Sequence, residues 1–205
     1  MAFSDFTLET AQQKLGITTE PADLFPTLPN VSVPTWLPEM LARGTQLALV
    51  SEKSRSEFIV APILTATREL AETPLSIYSG YRLDVDPERG LVGECDFILA
   101  IAPPVLPLRA PIATVVQAKK NDIEAGLGQC VAEMVAASLF NQAAGAAASM
   151  FGCVTTGETW QFLKLDGSVV QIDRRRFYLD NLPGILSALR TIVQAATTRI
   201  TSSSV

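Results

Sequence analysis

Two stretches decide the reading of this chain: Gly93-Glu94-Cys95-Asp96-Phe97-Ile98-Leu99 and Thr114-Val115-Val116-Gln117-Ala118-Lys119-Lys120. Both have the length and the β-branched or aromatic content of a strand. Side chains alternate along a strand, so Glu94 and Asp96 share one face and Gln117 and Lys119 share one face of the next. Cys95, lying between two acids, then faces the other way, into the core.

Working outward, Ser51-Glu52-Lys53-Ser54-Arg55-Ser56-Glu57 opens a helix with Ser51 or Ser54 as N-cap and an acid three residues on. It is expected to reach about Leu70, with Pro62 starting, kinking or interrupting it. Strands are predicted at Leu75–Leu83, Leu91–Ile101 and Ile112–Ala118, the first two parted by the turn Asp86-Pro87-Glu88-Arg89-Gly90. A proline-rich loop, Pro103 to Pro111, precedes the third. Ile123, Leu127, Val131, Val135 and Leu139 form the apolar stripe of a helix over Ile123–Gln142, whose end the small residues 143–149 extend or loosen. Strands follow at Phe151–Thr155, Trp160–Leu165 and Ser168–Ile172, with an Asp166-Gly167 hairpin turn, and then a helix from Leu182 to about Thr198. Trp160 reads as core. Upstream, residues 5–15 read as a short helix capped by Ser4 or Asp5 and stopped by Gly16. Residues 17–35, with Pro21, Pro26, Pro29 and Pro34, read as an extended arm. Trp36, Leu37, Met40 and Leu41 have helical spacing and are expected to dock on the body, and Leu47 to Val50 is a short apolar run. The expected fold class is α/β (α+β), a mixed central sheet flanked by helices. The arm and first helix span 1–50, the main domain 51–200, and a polar tail 201–205.

Composition narrows the chemistry. A chain of 205 residues that is 48% hydrophobic and 18% charged is long enough for one sizeable core. No apolar run is long enough to cross a membrane, and Met1-Ala2-Phe3-Ser4-Asp5 lacks a secretory pattern, so a cytoplasmic protein is expected. There is no histidine, which excludes Ser-His-Asp and Cys-His triads and histidine-based metal sites. Cys95, Cys130 and Cys153 lack metal-ligand spacing and read as buried thiols. A net charge of −5 speaks against a broad electrostatic surface for nucleic acid, so any such contact is local. Lys119-Lys120 and Arg174-Arg175-Arg176 are the dense basic groups, and the arginine run reads first as a solvated strand end.

Hydrolysis of a phosphodiester needs a hard cation held by oxygens and a positive group near the phosphate. Asp96 and the Ala118 carbonyl supply oxygens, Glu57 adds a carboxylate, Lys119 an ammonium, and Gln129 points back from the next helix. In this arrangement the chain resembles the PD-(D/E)XK, restriction-endonuclease-like superfamily. The resemblance covers about Ser51 to Leu165 and is carried by Gly93–Phe97, Val115–Lys119 and Gly128–Gln129. Thr155 to Phe162 is also similar to the strand-turn-strand of type I restriction subunit nuclease domains. It implies a helix glutamate at Glu57, a metal aspartate at Asp96, a catalytic lysine at Lys119 and a second-helix glutamine at Gln129. It also implies Mg2+ or Mn2+ held by Asp96, Glu57 and residue 117, with DNA as partner and a homodimer as one assembly. The second acid falls on Gln117, where the match breaks; Glu94 and Glu133 are the alternatives for that charge. Taken singly, each residue has an ordinary reading: Glu94 and Asp96 as strand-end acids paired with Lys119, Gln129 as solvated, Glu57 as a helix-dipole partner. Three expectations therefore stand. The chain is a metal-dependent DNA nuclease impaired by Gln117, or a non-catalytic module binding nucleic acid or a protein, or an assembly subunit clasped by its arm.

Overall fold

Strand β4 (Ile112–Ala118) is buried at all seven positions, the pattern of a strand covered on both faces. It pairs antiparallel with β3 (Glu94–Ala100) and parallel with β5 (Met150–Thr155). A parallel neighbour needs a crossover, which the helix α5 (Glu124–Ala143) provides. Around this centre the remaining strands are β1 (Thr18–Ala22), β2 (Ser76–Arg82), β6 (Thr159–Asp166) and β7 (Val169–Asp173). The sheet order is β1-β7-β6-β5-β4-β3-β2, and β8 (Phe177–Tyr178) adds to β6. The protein is thus a mixed α/β fold, an eight-stranded sheet flanked by helices. The structure is a computed structural model describing residues 1–48, 51–146 and 149–202, with side chains as far as 197.

Helices cover both faces. On one, α1 (Leu8–Leu15) and α5 pack with Cys95, Ile98, Val115 and Leu163. On the other, α2 (Trp36–Leu47), α4 (Ala61–Glu69) and α6 (Leu182–Ser202) pack with Phe97, Leu99, Val116, Trp160 and Phe162. Trp160 is core, fully buried with its indole N–H donating to the Gly157 carbonyl. All three cysteines are buried free thiols. Among the described residues, no helix is long and apolar enough to cross a membrane.

One local expectation changes and two gain detail. The first helix starts at Leu8, not residue 5, because Thr7 accepts from the Thr10 N–H, while Phe3–Asp5 form a separate 3-10 turn. Gly16 ends it at φ 67° as anticipated. Within the proline-rich arm, extended as expected at its start, β1 pairs in parallel with β7, at the sheet edge where Pro21 is tolerated. The arginine run is exposed just past the end of β7, as expected of a solvated strand end, and it also makes contacts. Arg174 pairs with Asp23 at 3.2 Å, Arg175 donates to the Phe25 carbonyl, and Arg176 pairs with Glu124. Two of the three thereby hold the arm to the body. Residues 49–50 of the apolar run, 147–148 of the small-residue stretch and 203–205 of the tail lie outside the described residues; Thr201 and Ser202 belong to α6.

The helix opened by Ser51 is interrupted as Pro62 requires. After α3 (Glu52–Arg55), a π-helical turn spans Ser56–Val60, its closing bond running from the Ala61 N–H to the Ser56 carbonyl. Pro62 has no N–H to give the Phe58 carbonyl, and the wider turn relieves the clash of its ring. α2 seats against that carbonyl through Gly44, where a Cβ would lie 2.3 Å from the Phe58 oxygen.

Gly128 has a comparable role between α5 and the segment before α1. A Cβ there would lie 2.2 Å from the Thr7 carbonyl carbon and 2.4 Å from the Phe6 oxygen, both backbone atoms. Gly128→Ala is expected to destabilise the protein by about 1–3 kcal/mol through overpacking, read as a lower denaturant midpoint. An unchanged midpoint would mean that α1 is not seated tightly on α5.

Candidate functional site

Register brings the polar ends of β3 and β4 side by side. Phe97 pairs with Val116 and Ile98 with Val115, so Asp96 lies level with Gln117. The Asp96 Oδ2 accepts from the Ala118 backbone N–H at 2.8 Å and from the Gln117 Nε2 at 2.5 Å. The same Nε2 also donates to the Ala118 carbonyl at 3.2 Å, while the Gln117 Oε1 is buried with no hydrogen-bond partner among the described residues. The amide nitrogen thus bridges Asp96 and the Ala118 carbonyl.

Lys119 has the parity of Val115, which packs on the α5 side. Its Nζ donates to the Gln129 Oε1 at 3.0 Å, and the Gln129 Nε2 donates to the Glu133 Oε1 at 3.0 Å. Gly126 makes this reach passable: a Cβ there would sit 3.0 Å from Lys119 Cγ and 2.5 Å from a Val154 methyl. Glu133 is fully buried and its Oε2 has no partner.

Asp96 also lines a recess of about 430 Å3 with Glu52, Glu57, Glu94 and Lys53. Glu57 stands on the π turn, exposed, 3.9 Å from the Lys53 ammonium. The five sequence-assigned residues are therefore brought to one region in two groups. Glu57 and Asp96 share the recess; Gln117 touches Asp96; Lys119 and Gln129 form a chain running toward Glu133. Glu94 lines the recess, so it remains placed to add charge there. Glu133 faces Gln129 instead and does not line it, which argues against it as the substitute acid. Glu52 had been read only as part of a helix start; its spacing of four from Ser56 was the available signal that both face one way.

Electrostatics follow from this burial. Burial pushes Asp96 up from 3.8 to about 6, opposed by the Ala118 N–H and reinforced by Glu52. Burial pushes Glu133 from 4.5 to about 8, opposed by its hydrogen bond from Gln129, with Asp96 raising it further. Lys119 lowers both. Among the described residues, no three Asp, Glu or Cys side chains are grouped so as to hold a metal ion. Any cation would therefore rely on at most two such side chains together with neutral oxygens. No protein-family model matches the chain, and no curated protein matches it.

Both acids bind protons more tightly folded than unfolded, so between the two values the unfolded chain has released protons that the native one keeps. Stability is expected to fall as pH rises from about 4 to 8, the upper part through Glu133. Glu133→Gln keeps an acceptor for Gln129 and should flatten the decline between about pH 6 and 8 in denaturant melts. An identical slope in the variant would mean Glu133 ionises freely in the fold.

Proposed function

We propose that the chain is a divalent-metal-dependent DNA nuclease with a restriction-endonuclease-like core, acting by phosphodiester hydrolysis at the ends of β3 and β4. The observation that carries this reading is the convergence of Asp96, Gln117, Lys119 and Gln129 there, with Glu57 lining the same recess as Asp96.

Magnesium or manganese is the ion this chemistry implies. The donors at hand are the Asp96 carboxylate, the Ala118 carbonyl and the orphaned Gln117 Oε1, an all-oxygen set that suits a hard cation. Turning the Gln117 amide over would exchange its nitrogen for that oxygen. With Glu57 and Glu94 on the recess wall, the residues fit a weakly held ion. When bound, such an ion supplies positive charge beside the phosphate and acidifies water.

The chain's own groups do the remaining work. Lys119 presents an ammonium at the strand end, where developing phosphate charge is stabilised. Gln129 orients it by accepting at 3.0 Å, and Glu133 fixes the Gln129 amide so that its oxygen faces Lys119. Lys119 is a catalytic residue in this reading, and Gln129 and Glu133 are positioning residues.

A second reading has its own support. The Gln117 NH2 donates to Asp96 and to the Ala118 carbonyl, the groups that would hold a cation, so these oxygens are satisfied by the protein itself. On that reading the fold binds DNA or a protein partner without cutting it.

Manganese titration separates these readings. The natural chain is expected to bind manganese feebly, as calorimetry reads it. Gln117→Glu should bind it more tightly, because hard cations favour anionic oxygens. The variant should also melt lower than the natural chain without metal, where two carboxylates meet, and recover with manganese. Equal binding by both proteins would mean that position 117 is not a ligand.

Lys119→Ala tests the activity. Cleavage of DNA is expected to drop by about 100-fold or more, with stability changed by only about 0–1 kcal/mol. Full-rate cleavage by the variant would remove Lys119 from the mechanism. A natural chain that cuts no form of DNA with either ion would favour the second reading.

A further inference from the structure

On the opposite side of α3 from the acidic recess lies a second one, of about 230 Å3, whose charge is reversed. Arg55, Lys120 and Arg176 line it against two carboxylates, Glu124 and Glu158. The acidic recess sets Glu52, Glu57, Glu94 and Asp96 against Lys53 alone. In a chain of net charge −5, this segregation is local and sharp. Both recesses adjoin one strand end: Lys119 turns toward α5, and the next residue, Lys120, is exposed and lines the basic recess.

The arginines are held in place, yet only lightly neutralised. Arg55 Nη1 donates to the Thr156 carbonyl at 3.0 Å and to Glu158 at 3.2 Å, and the Arg55 side chain is 11% exposed against 63% for Glu158. Arg176 donates to Gln161 at 3.2 Å and pairs with Glu124, whose side chain is 65% exposed. Lys120 and Asn121 are exposed, and among the described residues their side chains have no polar partner. Exposed carboxylates of this kind hold a cation weakly, and a phosphate oxygen can replace them with a stronger, bidentate contact to arginine.

We propose that this basic recess is a binding subsite for a phosphate of the DNA backbone, next to the Asp96–Gln117–Lys119 cluster rather than at it. The inference rests on the nuclease-like reading for the choice of DNA. Its own basis is the reversed charge, the unpartnered Lys120 and the pre-positioned Arg55. Glu158 and Glu124 act as placeholders that hand their arginines to the incoming phosphate. The contact is local, which reconciles an acidic protein with an acidic ligand.

The experiment is fluorescence anisotropy of a short labelled DNA duplex, titrated with the full chain in chelator, over a series of salt concentrations. Lys120→Ala and Arg176→Gln should each weaken binding about threefold or more and lower the salt slope by about 0.9. Arg176→Gln keeps an amide beside Gln161, and melting curves check that both variants fold. Glu158→Gln should tighten binding, because Arg55 loses a competitor but keeps the Thr156 carbonyl. Arg43→Ala, an equal change of charge on the exposed face of α2, should do neither. Unchanged binding and slope in Lys120→Ala and Arg176→Gln overturn the proposal, as does an equal loss in Arg43→Ala. If inorganic phosphate raises the melting temperature through these residues while duplex binding ignores them, the DNA subsite is likewise overturned. Cleavage assays with manganese run separately: variant-sensitive binding without any cleavage keeps the subsite and removes the nuclease reading. Cleavage with variant-insensitive binding does the reverse.

Discussion

The closeness of α5 to the sheet is the constraint on which the site depends. Gly126 leaves room for the Lys119 stem and a Val154 methyl, and Gly152 of β5 leaves room for Met134 and Cys130, whose sulfurs lie 2.4 and 2.8 Å from where a Cβ would stand. Gly128 does the same toward the chain before α1. With the space at Gly126 or Gly152 filled, the helix would ride higher on the sheet. A lysine reaching from β4 would then meet solvent instead of Gln129. The same closeness explains why α5 is apolar nearly all round rather than along one stripe, and why Glu133 is sealed in.

Sealing in a carboxylate has an energetic consequence. Glu133 has one hydrogen bond, from the Gln129 amide, so its ionisation is opposed by a desolvation that this bond and the Lys119 charge offset only in part. The fold tolerates it most easily as a neutral acid. The Glu133 Oε1 ends the chain that starts at the Lys119 ammonium and passes through the Gln129 amide. Asp96 meets a different balance: burial raises it, but a backbone N–H and an amide both donate to it. The site therefore contains two acids at different settings, one sealed and one at the mouth of a recess.

Much of this was legible in the residues. Alternation put Asp96 beside Gln117 and turned Lys119 toward α5, because register in a buried strand permits no slip without exposing Val115 or Ile98. The apolar stripe gave α5 and with it the place of Gln129. Pro62 foretold a disturbance, though not that it would be a π turn with Glu57 on it. Two features lay beyond local pattern. The pairing of β1 with β7 joins residues some 150 apart and is chosen by tertiary packing, with Arg174 and Arg175 bonded to the arm. The burial of Glu133 follows from small residues on β5 and α5, not from its own spacing to Gln129.

Gln117 is where these strands of argument meet. A glutamate there would face Asp96 across a contact of 2.5 Å, and two buried carboxylates at that distance repel unless one is protonated or a cation lies between them. The amide removes that repulsion and adds two hydrogen bonds, which stabilises the metal-free fold. It does so at the expense of the charge that would draw a cation in. The same substitution therefore trades metal affinity for a preformed, self-satisfied site. The amide keeps one route open, because its unpartnered oxygen is held in the place from which a half-turn would present it to an ion.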